Sequence, residues 1–213
     1  MENIQDVSIE TCTESKYLRP YRLRYKQNGR EKIWDVMDTG DSVSILVYNP
    51  FRKVFIFVKQ FRPAVYSCNS KKYEENGVKK IDLEKYPAKL GVTHELCAGL
   101  VDKDCSVIEI AQQELLEELG YKVPLYKIEK ITTFRSGVGA SGNLQTMFYS
   151  EVSDVMKVNA GGGLESEGEL IETVEIPVTK GREMIYDESI NKPAGMMFGL
   201  LWFYENKYKP SGY

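Results

Sequence analysis

The chain has 213 residues, 42% of them hydrophobic, with a formal charge of −3. That length suits one large domain, or one domain with a small appendage, and supplies enough apolar material for a real core. The mild acidity excludes the basic footprint of nucleic-acid and anionic-membrane binders. The start, Met-Glu-Asn-Ile-Gln-Asp, has neither the basic nor the apolar region of a signal peptide, and the longest apolar stretch, 194–204, is too short to span a bilayer. Cys12, Cys68, Cys97 and Cys105 are widely spaced, so reduced thiols and a cytoplasmic setting are expected. His94 is the single histidine. A zinc site or a serine triad would depend on it alone, and neither is expected.

In chain order, residues 21–25 and 32–37 read as strands around an Asn28-Gly29 turn, a strong hairpin signal. Trp34 lies on the second strand, where core packing, an interface and base stacking are all open to it. Residues 42–48 and 54–61 read as strands broken by Asn49-Pro50. Arg62 ends the second of these just before Pro63. A guanidinium there either clamps a phosphate bidentately or is a plain strand-end charge. Residues 69–89 are rich in charge and read as a surface insertion. Glu95-Leu-Cys-Ala-Gly reads as a strand entering a turn.

A helix follows. Ser106 and Glu109 have capping-box spacing, and Gly120 suits the stop. Ile108, Ala111, Leu115 and Leu119 form a core-facing stripe. Beside it lie Glu114, Glu117 and Glu118, like charges at i+3 and i+4 near the end of the helix that disfavours anions. No Lys or Arg lies between Lys103 and Lys122 to relieve them. Clustered carboxylates without Cys or His favour a hard, oxygen-seeking ion such as Mg²⁺. A solvated acidic face is the plainer alternative.

Residues 125–134, 145–152 and 170–178 read as further strands. Gly137-Val-Gly-Ala-Ser-Gly142 matches G-x-G-x-x-G, but a strand rather than a helix follows it. A nicotinamide-dependent oxidoreductase is therefore a remote reading. Residues 159–168 form a Gly-rich acidic loop, with Glu165, Glu167 and then Glu169 as candidate proton acceptors. Residues 194–204, after Pro193, read as a buried C-terminal helix. The pattern is that of an α/β protein with a mixed sheet and helices on both faces.

Segment 99–121 resembles the Nudix box of the Nudix hydrolases. Gly99, Glu114, Leu115, Glu117, Glu118 and Gly120 match at the right spacing, and Tyr121 stands in for the final aliphatic. Cys105 stands where the family has Glu, and Gln113 where it has Arg. Losing both charges leaves neither without a partner. The likeness extends along nearly the whole chain. Val58-Lys-Gln-Phe-Arg-Pro-Ala-Val65 resembles the Gln-Phe-Arg strand of the nucleoside-diphosphate-sugar branch. Segments 95–102, 136–139, 145–149 and 161–172 resemble the uridine diphosphate glucose pyrophosphatase group within it.

This resemblance implies a Nudix α/β/α sandwich over 39–213, with 1–38 as an N-terminal β segment exchanged between the subunits of a homodimer. It implies Mg²⁺, with Mn²⁺ as the other ion, on Glu114, Glu118 and the Ala98 carbonyl, with Glu117 shared or bridging. It implies a base from the late loop, Glu169 ahead of Glu167, and substrate contacts from Arg62, Trp34, Ser136 and Gly137. The substrate it implies is a UDP-sugar, cleaved to UMP and a sugar 1-phosphate. ADP-ribose-selective relatives carry a Pro near Ser136-Gly137, and none stands here. An ADP-ribose or ADP-sugar pyrophosphatase, and a catalytically weak nucleotide-binding protein, are the alternatives.

Overall fold

A computed structural model describes residues 3–15 and 17–209, with the backbone alone at Glu167. In chain order the elements are β1 (Ser8–Ile9), β2 (Arg19–Gln27), β3 (Arg30–Asp38), β4 (Ser42–Asn49), β5 (Val54–Phe61), α1 (Pro63–Cys68), β6 (Lys72–Glu75), β7 (Val78–Ile81), β8 (Val92–Glu95), β9 (Cys97–Leu100), α2 (Val107–Glu117), β10 (Ile128–Arg135), β11 (Leu144–Glu151), β12 (Ile171–Pro177), α3 (Val178–Tyr186) and α4 (Ala194–Asn206).

A seven-stranded mixed sheet is the centre, in the order β10-β11-β4-β5-β12, with β8 on β5 and β9 on β4. Only β11 and β4 run parallel, from Gln145 opposite Ser42 to Glu151 opposite Tyr48. Strands β4 and β5 pair only near their turn, Val47 to Ile56 and Asn49 to Val54. Beyond that they part. Strand β9 then takes over the edge of β4 from Ile45 to Ser42, and β8 takes the edge of β5 from Val58 to Phe61. The fork between the two central strands is where the cleft opens.

Each face of the sheet carries its own apolar layer, as alternation along a strand requires. Val43, Ile45 and Val47 pack with Ile110, Ala111, Leu115 and Leu119 of α2. Leu46, Phe55, Phe57 and Met147 pack with Met184 and Ile185 of α3 and with Met196, Leu200 and Phe203 of α4. Burying side chains of this size stabilises by about 1.5–3 kcal/mol each. The α/β/α sandwich follows directly.

Three details differ from the sequence reading. Residues 69–89 are a mostly exposed surface insertion, but with strands the sequence reading did not place: β6 and β7 make a hairpin over Asn76 and Gly77, both at positive φ, and β1 adds a third strand along β7. Residues 125–127 form a 3-10 turn after Pro124, so the strand begins at Ile128. The buried stripe of α2 includes Ile110, fully covered, while Ile108 is only partly covered.

The β2–β3 hairpin forms as expected, yet most of it is exposed. Tyr21, Leu23 and Tyr25 share a face with Trp34 and Val36, because Leu23 lies opposite Trp34 and Tyr21 opposite Val36. No described helix is long and apolar enough to cross a membrane.

Candidate active site

The acid-bearing helix is held at both ends. At the start, the Glu109 carboxylate accepts from the Ser106 N–H at 2.9 Å. At the end, Gly120 takes φ +76°, and the N–H groups of Gly120 and Tyr121 reach the carbonyls of Leu116 and Leu115. The last carbonyls, those of Glu117 and Glu118, accept from the N–H groups of Gly163 and Gly162 at 3.1 and 2.9 Å. The glycine-rich loop thus closes the C-terminus of α2. A Cβ at Gly161 would lie 2.3 Å from the Glu118 carbonyl oxygen, so only glycine allows this approach.

Strand β9 passes the other side of the carboxylates. The Ala98 N–H donates to Glu118 Oε2 at 2.9 Å. A Cβ on Gly99 would lie 2.1 Å from Glu114 Oε1, so the bare backbone is what admits the Glu114 carboxylate. Glu118 is 2% exposed, and burial lifts its pKa to about 8, with the charges of Glu114 and Glu169 adding to the effect. Lys103, just before the helix, reaches Glu117 Oε1 at 3.5 Å.

Arg62 folds onto Glu95. Nε and Nη2 each donate to one carboxylate oxygen at 2.8 Å. Thr93 Oγ1 braces Glu95 from the other side at 2.6 Å. Burial acts to raise the Glu95 pKa, but the Arg62 fork and the Thr93 hydroxyl overcome it and hold the carboxyl below its ordinary value. Glu169 turns back on its own loop, accepting from the Leu164 N–H at 2.9 Å.

One cleft of about 840 Å³ gathers these groups: Arg62, Ala98, Glu114, Glu117, Glu118 and Glu169 all line it. Its other walls include Ser44, Gln145 and the start of α4, together with Tyr17 from the N-terminal segment. Tyr17 had no signal in the sequence that distinguished it from other surface residues, and Gln145 stood out only as the start of a strand segment. The Glu167 side chain lies outside the described residues.

Trp34, Ser136 and Gly137 do not line this cleft. Trp34 Nε1 donates to the Gly139 carbonyl at 3.0 Å and the Met37 N–H to the Ala140 carbonyl at 2.8 Å, so Trp34 belongs to a separate contact of the β2–β3 hairpin with the 137–142 turn, while the Ser136 N–H donates to the Asn143 carbonyl and the Gly137 carbonyl accepts from the Ala140 N–H at the base of that turn. That turn joins the antiparallel strands β10 and β11. No helix N-terminus follows it, which removes the dinucleotide-binding reading.

The two positions that depart from the box touch each other: Gln113 Nε2 lies 3.8 Å from Cys105 Sγ. A neutral contact occupies the place where the family pattern has an ion pair.

Among the described residues, no three His, Cys, Asp or Glu side chains already enclose a space for an ion. The donors still fit a hard divalent cation in kind. They are all oxygens, and one is a buried carboxylate beside like charges, a state that a cation would relieve.

An acid-lined helix behind a Gly loop, facing one cleft of an α/β/α sandwich, defines a Nudix hydrolase. The chain belongs to that family, in its nucleotide-sugar pyrophosphatase branch. It is 42% identical over 212 residues, 96% of both chains, to uridine diphosphate glucose pyrophosphatase NUDT14 of Bos taurus. The protein of that name from Mus musculus is 38% identical over the same share. A GDP-mannose pyrophosphatase of Escherichia coli is 33% identical over 151 residues, 71% of this chain and 67% of that protein. No protein-family model matches the chain.

Proposed function

We propose that the protein hydrolyses the diphosphate of a UDP-sugar, UDP-glucose foremost, to UMP and a sugar 1-phosphate, with Mg²⁺ or in its place Mn²⁺. The observation that carries this is the single cleft shared by Glu114, Glu117, Glu118, Glu169 and Arg62. Its substrate rests on the likeness to the uridine diphosphate glucose pyrophosphatases. Glu114, Glu117, Glu118 and the Ala98 carbonyl would hold the ion, which neutralises the diphosphate and acidifies a water when bound. Glu169 leaves the Leu164 N–H and takes the proton of the attacking water on its carboxylate, with Glu167 the next candidate. Arg62, oriented by Glu95, has Nη1 left for a phosphate oxygen.

The same reading makes the protein a cytoplasmic homodimer. The apolar face of Tyr21, Leu23, Tyr25 and Trp34 is 40–52% exposed, more than a lone chain usually leaves together. A second copy covering it would bring Trp34, Ser136 and Gly137 to the partner's cleft, Trp34 against the base.

The test is a panel of nucleotide sugars with phosphate-resolved analysis of products. UDP-glucose with Mg²⁺ should give UMP and glucose 1-phosphate fastest. Preference for ADP-ribose or GDP-mannose would move the assignment to those substrates. Nucleotide binding without turnover would make the protein a binder.

A further inference from the structure

We infer that Lys103 binds the substrate diphosphate alongside Arg62, and that it rests on Glu117 until a divalent cation displaces it. The inference rests on the functional reading above, and names a residue of the same site.

The diphosphate of a nucleotide sugar needs cations, and the cleft offers few. Among the described residues lining it, Arg62 and Lys103 carry the positive charge. The Arg62 fork is already engaged: two of its nitrogens hold Glu95 at 2.8 Å, and Thr93 fixes that carboxylate in turn. Its role is to keep a rigid wall, with one nitrogen to spare. Lys103 is different in every respect. It sits in the loop between β9 and α2 on a flexible stem, about a third of its side chain is exposed, and its pairing with Glu117 is loose at 3.5 Å. A single partly exposed ion pair of that length is easily exchanged. An ammonium is a compact point charge with three donors, suited to a phosphate that shifts during reaction.

Its resting place is informative. Glu117 is one of the three carboxylates that a cation would use, and no Lys or Arg lies between Lys103 and Lys122. Lys103 therefore supplies the positive charge at the C-terminal end of α2 when no ion is present. An ion arriving at Glu117 competes with the ammonium. The released ammonium would remain within the same cleft, free to meet the diphosphate. One residue thus opposes the cation and favours the nucleotide.

The variants are Lys103→Met, which keeps the length of the stem without its charge, and Lys103→Arg. The first measurement is Mn²⁺ affinity by calorimetry in the absence of nucleotide. The second is UMP affinity and UDP-glucose KM and kcat at saturating Mg²⁺. Lys103→Met should bind Mn²⁺ severalfold more tightly and hold UMP and UDP-glucose about tenfold more weakly, the loss expected for one charge-assisted hydrogen bond. Most of the change should lie in KM rather than kcat. Lys103→Arg should restore most of the nucleotide affinity. Unchanged or weaker Mn²⁺ binding in Lys103→Met would overturn the displacement, and unchanged UMP affinity and KM would overturn the phosphate contact. A wild-type chain that turned over no nucleotide sugar would defeat the functional reading, while the calorimetry would still decide whether Lys103 competes with the ion.

Discussion

At the scale of single residues, Glu118 carries the sharpest consequence. Its folded pKa of about 8 stands well above the ordinary carboxylate value of 4.5. Between those two values the folded chain holds a proton that the unfolded chain has lost, so stability falls as pH rises through that window. In EDTA the melting temperature should therefore drop between pH 5 and pH 8. Divalent ions should remove the drop, because they bind the folded state in place of the proton. A flat profile in EDTA would mean that the Glu118 carboxylate is better solvated than its burial indicates. Glu169→Gln tests the proton acceptor. It should lower kcat by about 10²–10⁴ with little change in KM. Gly99→Ala should have a different signature. The new methyl meets the Glu114 carboxylate, so ion affinity should fall in a calorimetric titration before any measurement of turnover. Glu114, Glu117 and Glu118 were legible as one carboxylate cluster because like charges at i+3 and i+4 on a helix are visible without coordinates. The grip of Glu95 on Arg62 was not, since 33 residues separate them and only the pairing of β5 with β8 brings them together.

At the scale of elements, helix α2 was the most legible part of the chain: its capping box, its apolar stripe and its glycine stop are all local signals. The β6–β7 hairpin is equally local, yet its sequence reads only as a charged surface insertion. Asn76-Gly77 carries the same turn signal as Asn28-Gly29, but its flanking strands are charged rather than alternating, so periodicity gave no support. The splaying of β4 from β5 had no signal, because it depends on which edges β8 and β9 find. The contact of the 161–163 loop with α2 was also out of reach, although its glycines hinted at close backbone approach. Gly161→Ala tests that contact. With 2.3 Å to the Glu118 carbonyl, the methyl should force the loop away, lower stability by about 1–3 kcal/mol in denaturant titration and reduce kcat through misplacement of Glu169. Wild-type stability in this variant would show that the loop tolerates a shift.

At the scale of the molecule, the two apolar layers on either side of the sheet account for the core, while the β2–β3 hairpin remains outside both. Its alternation was readable, but alternation alone cannot tell a face turned to a core from a face turned to a second copy. Leu23→Asp, at the centre of that face and remote from the carboxylates, should convert a dimer into a monomer in light scattering. A wild-type chain that is already monomeric at micromolar concentration would remove the dimer and with it any role for Trp34 at a partner's cleft. The neutral Cys105–Gln113 contact also matters at this scale, because it leaves the box helix without one of the family's internal charge pairs.

The two backbone hydrogen bonds from the Gly162 and Gly163 N–H groups to the end of α2 set how far the loop that carries Glu169 can travel. They act as a clasp: up to Gly163 the loop is fastened to the helix, and the turn beyond it is closed on itself, the Glu169 N–H on the Leu164 carbonyl and the Leu164 N–H on the Glu169 carboxylate. Any movement of Glu169, which lines the cleft, is therefore confined to a short arc. Amide exchange should map the boundary, slow at Gly162 and Gly163 and faster at Glu165 and Ser166, with nucleotide extending the slow region towards Glu169.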